Sequence, residues 1–326
     1  MTFPGRFPFF IRVDMSRALR FVPEGGALVE VTVRTVQSRL FLRPGGSLNE
    51  IIVGVLGRAQ RRYDVRCSGV VFLSNHWHGL LRVDDALQLA RFMQFVDGNL
   101  AREVGRLVDW PHGLWSRRYQ AILVSDEEAA QVARLKYLLS HGTKEKLVGR
   151  LSEWPGVHSV RAVLEGKPLK GLWFNRTQEY AARNRGEDFD RLKYATEEEL
   201  VLTQLPCWDH LPQEEYRERV AGLVEEIESE ARAERESKNL EPLGVAEVYK
   251  QNPQTRPNRS KRSPAPPVHA ATNAARNALR EAYAMFLAAF RDAAEKLKEG
   301  DRLARFPLGA FPPALPFVSV YSAMPP

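Results

Sequence analysis

The sequence predicts an α+β fold: an antiparallel sheet with helices packed against it, followed by a mainly helical C-terminal extension. Three observations predict it. Short stretches of period-two apolar alternation interleave with longer stretches of helical period in the first half of the chain. Their order is strand, helix, strand, strand, helix, strand, helix. The period-two signal then fades, and two long amphipathic segments follow.

Residues 27–35 (ALVEVTVRT) alternate, with Val29, Val31 and Val33 on one face and Glu30, Thr32 and Arg34 on the other. Ser47-Leu-Asn-Glu50 reads as a capping box opening a helix over 47–63, with Ile51, Val55 and Leu56 inward. Residues 67–73 (CSGVVFL) form a short apolar strand, and 76–83 (HWHGLLRV) a second one beyond Ser74-Asn75. Asp84-Asp85 start a helix over 84–107 whose inward positions are Leu87, Met93, Val96, Leu100 and Val104. A strand over 118–124 (RYQAILV) precedes a second capping box, Ser125-Asp-Glu-Glu128, and a helix over 125–141. This order matches a ferredoxin-like sandwich with its helices on one face of the sheet. Residues 155–170 read as loop and short elements. A helix over 211–236 presents Tyr216, Val220, Leu223, Ile227 and Ala231 as one stripe. Residues 252–267 (NPQTRPNRSKRSPAPP) are a Pro-rich basic linker that cannot form a core. A last helix over 272–299 carries Leu279, Tyr283, Phe286, Phe290 and Leu297 on one side and stops at Gly300. The apolar, Pro-broken stretch FPLGAFPPALPFV beyond it reads as an extended arm. The expected organisation is an arm over 1–20, a catalytic domain over 21–165, an acidic helical extension over 166–251, the linker over 252–270, and a terminal helix and tail over 271–326.

Composition narrows the function classes. The chain has 326 residues, 44% hydrophobic and 27% charged, which suits a packed core. Its two cysteines, Cys67 and Cys207, exclude a disulfide framework and a cysteine-based zinc site. The apolar N-terminal patch is broken by Pro4, Pro8 and Arg12, so no signal peptide is expected. No apolar run spans a bilayer. The expectation is a cytoplasmic protein without a membrane partner. Residues 1–150 carry 22 basic and 14 acidic side chains, a net of +8; 151–250 carry 14 and 21, a net of −7; 251–326 carry 11 and 5, a net of +6. A polyanion would meet the first and last segments and avoid the middle.

Two motifs carry chemistry. In His76-Trp77-His78, residues two apart on a strand point to one face, so two imidazoles can ligate one metal ion while Trp77 enters the core. Alone, the pattern is equally satisfied by two half-exposed strand histidines. No His-Glu-X-X-His accompanies it, which leaves a zinc-protease reading without support. In Tyr137-Leu-Leu-Ser-His141, residues four apart on a helix share a face. A core tyrosine and a histidine interacting with the helix dipole would produce the same pattern.

Together these residues resemble the HUH-type single-strand transposases, in particular the REP-associated tyrosine transposases. In that family a strand carries Asn-His-hydrophobic-His, here Asn75-His76-Trp77-His78, and a later helix carries a nucleophilic Tyr followed four positions on by a third ligand. The gap from His78 to Tyr137 is 59 residues, and the fourth position on is His141. Thr32-Val33-Arg34 and Trp115-Ser-Arg-Arg-Tyr119 also fit, so the resemblance spans roughly residues 20–165. The third ligand departs from the family's Asn or Gln, and His141-Gly142 stands where Asn-Pro often follows the Tyr.

The resemblance implies an HUH endonuclease-like fold and a transposase: a metal-dependent single-stranded DNA endonuclease and strand transferase, acting on hairpin DNA through a covalent 5′-phosphotyrosine. His76, His78 and His141 would be the metal ligands and Tyr137 the nucleophile; Tyr119 lacks a ligand four residues on. The cofactor would be Mn²⁺ or Mg²⁺, and a third imidazole favours Mn²⁺. Arg34, Arg117 and Arg118 would contact single-stranded or hairpin DNA, and the basic linker would add nonspecific phosphate affinity. The protein would act as a monomer or homodimer. Two alternatives stay open: a phosphodiesterase that uses water, and a domesticated, non-catalytic DNA-binding protein.

Overall fold

The computed structural model describes residues 19–186, 190–257, 266 and 268–313. The strands are β1 (Ala27–Arg34), β2 (Arg66–Leu73), β3 (His76–Val83), β4 (Gln120–Val124), β5 (Leu169–Phe174), β6 (Ala195–Leu200) and β7 (Val268–His269). The helices are α1 (Gly46–Tyr63), α2 (Ala86–Leu107), α3 (Glu128–Leu139), α4 (Ser159–Glu165), α5 (Arg176–Asn184), α6 (Gln213–Lys238), α7 (Val245–Lys250) and α8 (Asn273–Lys298). The fold is α+β. β2-β3-β1-β4 form an antiparallel sheet, to which β7 adds a parallel edge beside β4, while β5 and β6 pair separately.

Alternation along β1 builds two cores. Val29, Val31 and Val33 face the same side as Val70, Phe72, Trp77 and Leu81, and α1 and α2 cover them. Leu28 faces the other side with Val71, Leu73, Leu80 and Val124, covered by α3, α4 and α6. Helices therefore pack on both faces, not on one as the sequence suggested. Leu135, Leu138 and Leu139 of α3 meet Leu28 and Leu80, which alternate with the valines and so must point the other way.

Several local expectations change. Neither capping box forms. α1 begins at Gly46 behind Gly45 with no side-chain cap, and α3 begins at Glu128 behind Glu127. Glu127 instead turns its carboxylate to the backbone N–H groups of Ala271 (2.8 Å) and Thr272 (3.1 Å), ahead of α8. α2 is capped by Asp85, which accepts from the Gln88 N–H at 2.7 Å. Leu87 is 41% exposed, because it lies roughly 200° round the helix from the buried Leu89. The stretch after Val157 contains α4 and the β5–β6 ribbon, which covers the outer face of α1. The contact is backbone against backbone: a Cβ on Gly54 would stand 2.1 Å from the Leu172 carbonyl carbon, and one on Gly171 2.2 Å from the Glu50 carbonyl oxygen.

The long helices occur close to where the sequence places them, with Tyr216, Val220 and Ile227 of α6 buried and Leu223 and Ala231 half-buried. The acidic face of α6 meets α3 and the loop after it: Lys136 pairs with Glu226 (2.6 Å) and Glu230 (2.8 Å), and Lys146 with Glu234 (3.6 Å). α8 buries Phe286 and Phe290. The start of the linker is pinned rather than free, since Gln254 donates to the Val108 carbonyl at 2.7 Å and Thr255 accepts from the Leu40 N–H at 3.3 Å. The end of the linker contributes β7. The N-terminal stretch over 1–18, most of the basic run over 256–262 and the tail beyond 313 lie outside the described residues. Among the described residues no helix is long and apolar enough to cross a membrane.

Candidate metal centre and nucleophile

The site lies on the sheet face opposite the α1–α2 core. Antiparallel register sets Thr32 opposite His78 and Arg34 opposite His76, so polar residues of β1 and both histidines of β3 share one surface. Trp77, between the histidines, is buried on the other face and stacks on Phe72 with 5.1 Å between centroids. Gly79 makes room for it: a Cβ there would stand 2.9 Å from Trp77 Cζ3.

α3 ends at Leu139, two residues before His141. The chain then turns, with the His141 N–H on the Leu138 carbonyl (3.3 Å) and Gly142 at φ 98°. This turn brings His141 under the sheet, where its ring centroid lies 4.4 Å from that of His78 and 4.8 Å from that of Tyr137. One ring nitrogen from each of His76, His78 and His141 lies within 4.8 Å of the others.

Hydrogen bonds orient these rings. His76 Nδ1 is 2.6 Å from Asn75 Oδ1, and His141 Nδ1 is 3.0 Å from the Leu138 carbonyl oxygen. His78 Nδ1 is 2.9 Å from Thr32 Oγ1 and 3.1 Å from Glu30 Oε1. In each case an oxygen acceptor takes the Nδ1 proton, which leaves Nε2 with its lone pair. Burial holds His76 and His141 well below the usual histidine range, and the neighbouring imidazole of His78 and the Lys144 ammonium push the same way. Neutral imidazoles with oriented lone pairs fit a divalent cation of the first transition row better than Mg²⁺, which prefers oxygen.

Glu30 backs His78. It is 4% exposed; burial raises its pKa, but the close contacts of His269 and His78 outweigh burial and hold the carboxyl well below the usual range. Tyr137 is half-buried beside the cluster. Its ring is edge-on to His78 and His141, with Lys144 Nζ 3.8 Å and Arg134 Cζ 4.8 Å from its centroid.

The three arginines divide. Burial, then repulsion from Arg117, depresses the Arg34 guanidinium, and Tyr137 lies near enough to act in the opposite direction. Among the described residues neither Arg34 nor Arg117 has a carboxylate partner within ion-pair distance. Arg117 and Arg118 both line a cavity of about 740 Å³ between β4 and α8, with Arg20, Tyr119, Arg280 and Tyr283. Tyr119 is buried in the α1–α2 core and does not approach the histidines.

Sequence reasoning did not find Glu30, Arg134, Lys144 or His269 as part of this surroundings. Glu30 had a signal, a carboxylate between inward valines on the face that carries Thr32. His269 had none, because a two-residue strand leaves no period to read.

No protein-family model matches the chain, and no curated protein matches it. Solved structures of transposases resemble it. One is a REP-associated tyrosine transposase bound to a REP hairpin, with 17% identity, a TM-score of 0.39, and coverage of 47% of this chain and 87% of that one. Another is a candidate transposase from Deinococcus radiodurans R1, with 16% identity, a TM-score of 0.27, and coverage of 37% and 95%. Both likenesses are partial and at low identity, and the functional reading stands on the geometry of this chain.

Proposed function

We propose that the chain is a metal-dependent, transposase-like endonuclease and strand transferase for single-stranded or hairpin DNA, with Tyr137 as its nucleophile. One observation carries the reading: three oriented imidazoles, their ring nitrogens within 4.8 Å of one another, and a tyrosine ring packed against two of them.

A divalent cation on His76, His78 and His141, for which Mn²⁺ suits the donor set better than Mg²⁺, would neutralise a nonbridging phosphate oxygen. Arg34 and Arg117, two guanidiniums without carboxylate partners among the described residues, supply the positive surface that receives the phosphodiester; Arg118, beside Arg117 in the cavity between β4 and α8, would meet the adjoining part of the strand. Tyr137 Oη attacks phosphorus in line. The Oη–P bond forms, the bond from phosphorus to the 3′ oxygen breaks, the phenol proton leaves, and the departing 3′ oxygen takes up a proton. Lys144 and Arg134, over the Tyr137 ring, add positive charge beside the place the phosphate would take. The product, a 5′-phosphotyrosine and a free 3′-hydroxyl, keeps a reactive phosphodiester, so a 3′-hydroxyl can rejoin the strand by the reverse step.

Hairpin DNA with a single-stranded flank, incubated with Mn²⁺, tests the reading. The native chain is expected to give a protein–DNA adduct that survives denaturing electrophoresis. Tyr137→Phe is expected to give none while keeping Mn²⁺ affinity, and His76→Ala to lose adduct and metal together. Cleavage that persists in Tyr137→Phe would move the chain to the hydrolytic class. A native chain that binds hairpin DNA but neither Mn²⁺ nor Mg²⁺ would be a binding module.

A further inference from the structure

β7 is two residues long, yet it is held firmly. Val268 and His269 pair with Leu123 and Val124 of β4, and the Ser125 N–H donates to the His269 carbonyl at 2.8 Å. Immediately beyond, Glu127 accepts from Ala271 and Thr272. These are backbone contacts of β7, independent of the His269 side chain. They fix that side chain over β1, where His269 Nε2 lies at ion-pair distance, 2.9 Å, from Glu30 Oε2 and 3.4 Å from Arg134 Nη1. The other carboxylate oxygen, Glu30 Oε1, is 3.1 Å from His78 Nδ1. Arg134 Nη1 stands 3.6 Å from Glu30 Oε2 and compensates the buried charge from the side.

We infer that His269 is a positioning residue for the metal centre: by engaging Glu30 Oε2 it fixes the carboxylate whose other oxygen orients His78. This rests on the proposed metal-binding role of His78. The physical reason is rotational. A carboxylate held at one oxygen can swing about its side-chain torsions. Held at both, it presents Oε1 in one place, and the His78 ring keeps Nδ1–H toward Glu30 and Nε2 toward the other two imidazoles. The C-terminal segment thereby becomes part of the site, although more than a hundred residues separate it from α3.

The test uses the full chain and Mn²⁺ alone, with affinity measured by calorimetry and side-chain tautomers by imidazole ¹⁵N shifts of the metal-free protein. His269→Ala is expected to weaken Mn²⁺ binding by about tenfold or more. His78 should then pass from a single Nδ1–H tautomer to a mixture. His269→Gln, whose amide N–H can donate to Glu30, is expected to restore most of the affinity and the single tautomer. Native affinity in His269→Ala would overturn the inference, and so would a His269→Gln variant as weak as the alanine. If the native chain binds no Mn²⁺, the metal reading fails by itself, and the His78 tautomers of the three proteins still decide the positioning role.

Discussion

His158 shows how a residue outside the chemistry holds the site in place. Its Nδ1 accepts the Val160 N–H at 3.1 Å and caps α4, while Nε2 donates to the Leu139 carbonyl at 3.1 Å, at the turn that delivers His141. The bond from Val160 needs the neutral ring, since a protonated Nδ1 cannot accept, and burial pushes the pKa down to about 4. An unfolded histidine titrates near 6.5. Between these values the unfolded chain binds a proton that the folded chain refuses, so stability is complete above pH ~6.5 and falls as pH drops toward about 4. The whole window is worth roughly 3 kcal/mol. His158→Asn keeps an oxygen for the cap but cannot reach Leu139. It is expected to cost about 1 kcal/mol at pH 7 and to lose less than the native chain between pH 7 and pH 5, as read from urea midpoints. Equal acid sensitivity in both proteins would remove His158 from this account.

Among the elements, α1 and the β5–β6 ribbon carry the sharpest packing constraint. Gly54 and Gly57 let the ribbon backbone touch the helix, a Cβ on Gly57 standing 2.6 Å from the Glu199 carbonyl oxygen. Arg58 and Arg61 then clamp Glu198 at 3.0 and 2.8 Å. Gly54→Ala cannot be absorbed by a side-chain rotation, since the obstacle is the backbone of Leu172. It is expected to destabilise the chain by at least about 2 kcal/mol, with Mn²⁺ affinity in the folded protein unchanged. A variant as stable as the native chain would show that the ribbon is free to lift. The ribbon also marks where sequence reading lost its grip. β6 is Ala-Thr-Glu-Glu-Glu-Leu, whose Glu198 is buried by two arginines of α1, so no apolar alternation announces it. β3 was legible to the residue, because turn and helix-start signals, Ser74-Asn75 before it and Asp84-Asp85 after it, bound its run on both sides. The capping boxes were misleading, because the Glu128 carboxylate of the second one is drawn away to Trp208 Nε1 at 2.7 Å.

At the scale of the molecule, charge is partitioned. The acidic middle is partly spent on Lys136 of α3 and Lys146 beyond it, which leaves the Arg34–Arg117 side to meet a polyanion. Hairpin affinity is therefore expected to fall steeply with salt. Arg34→Ala should weaken binding for every sequence alike and reduce the slope of log affinity against log salt by about one. An unchanged slope would show that Arg34 does not meet a phosphate.

The sequence by itself determined the order of the first seven elements and the face shared by His76 and His78, because strand and helix periods are local properties of the backbone; it set Tyr137 and His141 on one helix, whereas α3 ends at Leu139 and a turn brings the two rings together. Only the tertiary structure decided that the two motifs meet, that helices cover both faces of the sheet, and that Glu30 and His269 stand behind His78. Those facts depend on strand register and on which distant backbone occupies the β4 edge, and no period within a single segment encodes either.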